Sequence, residues 1–128
     1  MTKIAIMALG GAVGTVLRYF TAGVVQRYSD GAFPAGTLGV NLIGSLCIGV
    51  LWGLFEDMAV SANVRTFLLI GVLGAFTTFS TFTLENFHLL RDGEMKVALM
   101  NVLVSNTAGI ALVFGGYFMS RYFVGIFK

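Results

Sequence analysis

Gly71-Val72-Leu73-Gly74-Ala75-Phe76-Thr77-Thr78-Phe79-Ser80-Thr81-Phe82-Thr83-Leu84-Glu85 is the stretch on which the reading of this chain turns. Five hydroxyl residues fall within the seven positions from Thr77 to Thr83, interleaved with phenylalanines, and the glycines Gly71 and Gly74 precede them. Around this cluster the window Thr66–Leu84 holds 19 residues without a charge. A helix needs about 20 residues to cross the hydrocarbon core of a bilayer. The polar cluster therefore sits inside a membrane-length apolar window, and the glycines before it permit a local break in the helix. Non-helical backbone at that depth is tolerated only where protein or a polar cavity surrounds it. Freed carbonyls there can coordinate a cation, whereas freed amides and hydroxyls can bind an anion. The competing account is that the hydroxyls bond back to carbonyls of their own helix.

Outward from this window, the composition agrees with a bilayer setting. Hydrophobic residues make up 57 % of the 128 and charged residues only 11 %, with a mean hydropathy of +0.89. A soluble domain carries roughly a quarter charged residues, because water must solvate its surface. Two further uncharged windows, Gly31–Phe55 and Val97–Ser120, are 25 and 24 residues long. A fourth span exists if Arg18 is accepted within the first apolar run. The reading is an all-α membrane protein, one domain over residues 1–128, with spans at about 4–25, 37–55, 66–87 and 97–118. The first span is read as a retained membrane helix rather than a cleaved leader, since three more follow it. Gly10-x-x-x-Gly14 and Gly49-x-x-x-Gly53 have the spacing that lets membrane helices approach closely.

Several function classes lack raw material. The formal net charge of +2 comes without a basic run, so nucleic acid is not an expected partner. A single cysteine, Cys47, and a single histidine, His88, offer neither a disulfide nor a zinc site. No nucleophile–base pair points to an enzyme. What remains are polar groups that lipid makes expensive. Asn41 lies in the second span, and Asn101, Ser105 and Asn106 in the fourth, with Asn101 and Ser105 on one face at i, i+4. Each serves as interhelical glue or as part of a polar path. Arg18 either draws anions into a vestibule or snorkels to the headgroups, and Glu85 is expected near an interface.

The cations are balanced between the two ends. Lys3, Arg65, Arg121 and Lys128 share one side, while Arg27, Arg91, Lys96 and an outward-snorkelling Arg18 share the other. An excess of Lys and Arg normally fixes which loops stay cytoplasmic. Without one, insertion in both orientations and pairing of opposite-facing copies is the expectation.

Two more segments now matter: Gly36-Thr37-Leu38-Gly39-Val40-Asn41-Leu42-Ile43-Gly44, and Gly14-Thr15-Val16-Leu17-Arg18 in the first span. Together with the Thr77–Phe82 cluster they resemble the fluoride channels of the CrcB/Fluc family, over essentially the whole chain. The resemblance implies an antiparallel, dual-topology homodimer in the cell membrane. Its two pores, each lined by both subunits, would export fluoride passively and relieve its toxicity. It places Phe79 and Phe82 along the fluoride path, with Asn41, Ser80, Thr81, Ser105, Glu85 and Arg18 as further pore residues. It also implies a structural sodium ion at the dimer centre, held by backbone carbonyls of Gly74 and Thr77. Ala75 stands where the family has a second glycine, and Gly109 where some relatives carry serine. A proton-coupled exporter of small cations or drugs, also a four-span antiparallel dimer, is the alternative; it requires a deep acidic residue.

Overall fold

The computed structural model describes residues 2–29 and 31–126; Lys128, counted above among the cations, lies outside them. Helix α1 (Thr2–Gln26) runs unbroken through Arg18, and α2 covers Ala35–Asp57. The third span, Ala62–Arg91, comes in two pieces, α3 (62–76) and α4 (Phe79–Arg91). Helix α5 covers Met95–Ile126. All four spans are long and apolar enough to cross a membrane, and no strand occurs among the described residues.

Local chemistry sets the boundaries. Pro34, which has no N–H to leave unpaired, stands at the cap before α2. The loop before it is closed by Gln26, whose Nε2 donates to the Phe33 carbonyl at 3.2 Å while its Oε1 accepts from the Gly36 amide at 2.8 Å. Ser61 caps α3, accepting from the Val64 amide. Within α3, Thr66–Leu73 is π-helical, a widened form with i→i+5 bonding. After Thr66 that run is apolar throughout, and nothing in it marks the widening in advance.

The fourth span, α5, departs from its expected end at residue 118 by running on to Ile126. At 1.5 Å per residue it is about 48 Å long, well beyond a hydrocarbon core of about 30 Å. Its last turns are tied down at the end of α2. The Tyr117 hydroxyl donates to Glu56 Oε2 at 2.8 Å, and Arg121 pairs with Asp57 and, at 3.8 Å, with Glu56.

Two close pairings organise the bundle: α3 lies along α1, and α2 lies along α5, with α1 and α2 also in contact. Past the break, α4 packs on α5 and α2 instead of α1. The third span thus starts against one neighbour and finishes against others. The seams are lined with glycine because backbone meets backbone there. A Cβ at Gly49 would run into the Val113 carbonyl oxygen, and one at Gly10 would stand 2.7 Å from the Phe67 carbonyl. Outside, the pattern inverts that of a soluble protein. Leu9, Val13, Val16 and Phe20 of α1 and Leu99, Leu103, Ile110 and Phe114 of α5 are exposed, whereas Asn101, Asn86, Thr37 and Ser120 are buried. Such a surface is solvated by lipid.

Replacing Gly49 by alanine should destabilise the folded protein by about 1–3 kcal/mol, the usual cost of overpacking. Thermal unfolding in detergent measures it. Gly11→Ala, where an added Cβ meets nothing within 4 Å, should leave the midpoint unchanged or raise it slightly.

Candidate functional site

The third span breaks at two threonines. Thr77 (ψ 158°) and Thr78 (φ −149°, ψ 120°) are extended, while Gly74 before them keeps helical angles (φ −62°, ψ −34°). Glycine was expected to supply the break; the structure instead places it at β-branched residues, whose preference for extended backbone suits them to it. Gly71 serves packing against Gly10.

An opened helix must find partners for its backbone groups. The Thr78 amide donates to Asn41 Oδ1 at 2.8 Å, and Asn41 Nδ2 donates back to the Thr78 carbonyl at 3.0 Å. This paired contact from α2 braces the break from the side. Thr78 also caps α4, its Oγ1 accepting from the Thr81 amide at 3.3 Å and donating to Thr81 Oγ1 at 3.0 Å. These bonds draw the amides of Thr78 and Thr81 away from the carbonyls of Gly74 and Thr77, their α-helical partners four residues earlier. Two carbonyl oxygens are thereby released beside the break. The first amides of α4, at Phe79 and Ser80, have no preceding turn to bond, and the positive end of the helix dipole lies there.

Of the five hydroxyl residues, Thr77 and Thr83 bond back to carbonyls, of Leu73 at 3.0 Å and Ser80 at 2.9 Å. Thr78 and Thr81 serve the cap, and Ser80 is exposed on α4. Phe79 is 77 % exposed and Phe82 only 9 %, their ring centres 5.7 Å apart.

Two recesses meet at Thr78. One, of about 350 Å³, is bordered by Asn41, Ser45, Gly74, Thr77, Thr78 and Phe79. The other, of about 410 Å³, is bordered by Arg18, Tyr19, Thr37, Thr78 and Thr81. Among the pore residues named by resemblance, Asn41 and Phe79 thus share one recess and Arg18 and Thr81 the other. Glu85 lies further along α4, where its Oε1 accepts from the Thr37 hydroxyl at 2.7 Å, near the start of α2. Its Oε2 is buried without a hydrogen-bond partner among the described residues. Ser105 stands apart on α5; among the described residues its hydrogen bonds reach α4 through Asn101 and Asn86, Ser105 Oγ to Asn101 Oδ1 at 3.3 Å and Asn101 Nδ2 to Asn86 Oδ1 at 3.3 Å. Asn106, next in sequence, is turned to the Val102 carbonyl of its own helix.

Sequence reasoning passed over Thr37 and Asn86. Thr37 was quoted within a motif without a role, although a hydroxyl in the first turn of a span is itself a signal. Asn86 stands between Glu85 and Phe87 and reads as ordinary span-end polarity; its burial at 7 % exposure is visible only in three dimensions.

Asn41→Leu should leave the Thr78 amide and carbonyl unmet, at about 1–3 kcal/mol for each buried group. Hydrogen exchange across residues 74–82 should accelerate markedly in that variant while the α2–α5 seam keeps its protection.

Comparison with known proteins adds independent findings. A family model described as "CrcB-like protein, Camphor Resistance (CrcB)" matches residues 5–117. A protein of Parabacteroides distasonis named "Fluoride-specific ion channel FluC" is 42 % identical over 128 residues, the whole of both chains. Proteins with the same name from Desulforapulum autotrophicum and Aquifex aeolicus are 46 % and 43 % identical, over 93 % and 90 % of this chain and 96 % and 94 % of their own. With its full length matched and its four spans in place, the chain belongs to the CrcB family of multi-pass membrane proteins.

Proposed function

We propose that this protein is a channel through which fluoride leaks passively down its gradient, protecting the cell from accumulated anion. The observation that carries the reading is the braced break at Thr77–Thr78, which gathers anion donors at membrane depth, in a chain whose relatives are named fluoride-specific channels. Fluoride is small and strongly hydrated, so a path through lipid must replace much of its water. Asn41 retains one amide N–H after bracing Thr78, because its Nδ2 carries two hydrogens. The first amides of α4, the hydroxyls of Ser80, Thr81 and Ser105, and the positive ring edges of Phe79 and Phe82 add weak donors. None of these traps the ion as a fixed cation at contact would, and release is as necessary to conduction as entry. Arg18, bordering the second recess, raises the local anion concentration before entry. Glu85, level with the start of α2, sits near a pore end; that position suits conduction better than the deep proton exchange an exporter requires.

The functional unit is an antiparallel pair of copies in the cell membrane, with two pores. Support for pairing comes from Phe79, a large apolar ring left 77 % exposed beside an open recess. The carbonyls of Gly74 and Thr77, released by the break, fit a sodium ion at the centre of such a pair. They are neutral oxygen donors of the kind alkali cations take, and each subunit supplies two. Bound by these carbonyls, such an ion would supply the positive charge that ties the two breaks together, and the anion path itself is built of protein groups.

Liposomes carrying the purified protein should release fluoride rapidly and chloride hardly at all, as read by ion-selective electrodes. Phe79→Ile or Phe82→Ile should slow fluoride release about tenfold or more, equivalent to losing ~1.4 kcal/mol of anion stabilisation. Well-folded protein that releases no fluoride would overturn the reading. For the orientation, reporters fused to the C-terminus should be found on both sides of the membrane, and a single location would rule out dual insertion.

A further inference from the structure

Asn86 and Asn101 form the most deeply buried polar pair among the described residues, at 7 % and 1 % exposure. The pair has a direction. Asn86 Nδ2 lies 2.7 Å from the Phe82 carbonyl, which can only accept, so the Asn86 amide cannot be turned over. Its Oδ1 must then face Asn101 and accept from Asn101 Nδ2 at 3.3 Å. That orientation leaves Asn101 Oδ1 facing Ser105, another acceptor-only atom, 3.3 Å from Ser105 Oγ. The only proton available for this last bond is that of the Ser105 hydroxyl. A backbone carbonyl on α4 thus dictates, through two amides, where a hydroxyl proton on α5 points.

We propose that Asn86 is a positioning residue which, through Asn101, holds the Ser105 proton away from the anion path. The inference rests on the reading of Ser105 as part of that path. What Ser105 then shows a passing ion is oxygen lone pairs, and an anion gains a hydrogen bond from it only by pulling the hydroxyl off Asn101. Ser105 becomes a weak, conditional donor. A site that must release fluoride quickly benefits from that weakness.

Asn86→Leu removes the acceptor that fixes Asn101. The Asn101 amide can then turn an N–H toward Ser105, whose proton swings to the path. Half-saturating fluoride for flux through reconstituted channels should fall by about 2- to 10-fold, the worth of one neutral hydrogen bond. The same substitution in a Ser105→Ala background should produce no shift. Asn86→Asp, whose carboxyl in its neutral form offers an O–H for the Phe82 carbonyl and an oxygen for Asn101 Nδ2, should move the value back toward wild type. A role confined to packing would shift both backgrounds equally and would gain nothing from aspartate; that pattern, or no shift in Asn86→Leu, overturns the proposal. If Asn86→Leu does not assemble, Asn86→Ala, which adds no bulk, carries the same comparison. Wild-type liposomes that release no more fluoride than empty ones would instead sink the channel reading beneath it.

Discussion

Asn41 reaches from α2 to Thr78 with both ends of its amide, giving the Thr78 N–H an acceptor and the Thr78 carbonyl a donor. In water such a contact would be replaceable by solvent. At membrane depth it is not, because an unmet backbone group in hydrocarbon costs several kcal/mol. The rest of the site depends on this pairing. With Thr78 held extended, α4 acquires a capped N-terminus within the span, and its first residue, Phe79, borders the recess beside the break. The same bond takes the Thr78 amide from Gly74, and the cap takes the Thr81 amide from Thr77. Asn41 and the Thr78 cap together leave unpaired amides and carbonyls at neighbouring points of a single strand of backbone.

The break also solves a packing problem. A straight third helix would stay beside α1 along its whole length. Interrupted, it hands over from α1 to α2 and α5, so α4 can carry Glu85 to Thr37 and Asn86 to Asn101. Both contacts join polar groups that lipid would otherwise leave unsatisfied. Other polar residues of the spans, such as Thr83, Asn106 and Thr107, bond back to carbonyls of their own helix, while Asn41 keeps one N–H free beside Thr78 and Glu85 Oε2 stays unmet among the described residues.

Much of this was legible in one dimension. The spacing of charges located all four spans, because transfer into lipid depends on composition over about 20 residues and little else. The density of hydroxyls between Thr77 and Thr83 marked the stretch where the span breaks for the same reason: polar groups are conspicuous where they are costly. The glycine before them misled, since Gly71 is needed for close packing and Gly74 is plainly helical, while the extended residues are threonines. The partners were illegible. Asn41 meets Thr78 across 37 positions of sequence and Thr37 meets Glu85 across 48, and no local pattern encodes such meetings. The overlong α5 escaped notice because its last turns are held by Glu56 and Asp57, far away in the chain.

The glycine seams have a consequence for how such a sequence can drift. In a soluble protein the interior accepts one aliphatic side chain for another, and the outside accepts almost any polar one. Here the order is reversed. Along the Gly49–Val113 and Gly10–Phe67 approaches no side chain of any kind fits, whereas the outward positions of α1 and α5 ask only for something oily. Substitutions should accumulate on the lipid face and spare the interior almost completely. The lineage of such a chain would then be written in its glycines and its few paired amides, with the aliphatic residues that make up most of its mass recording very little.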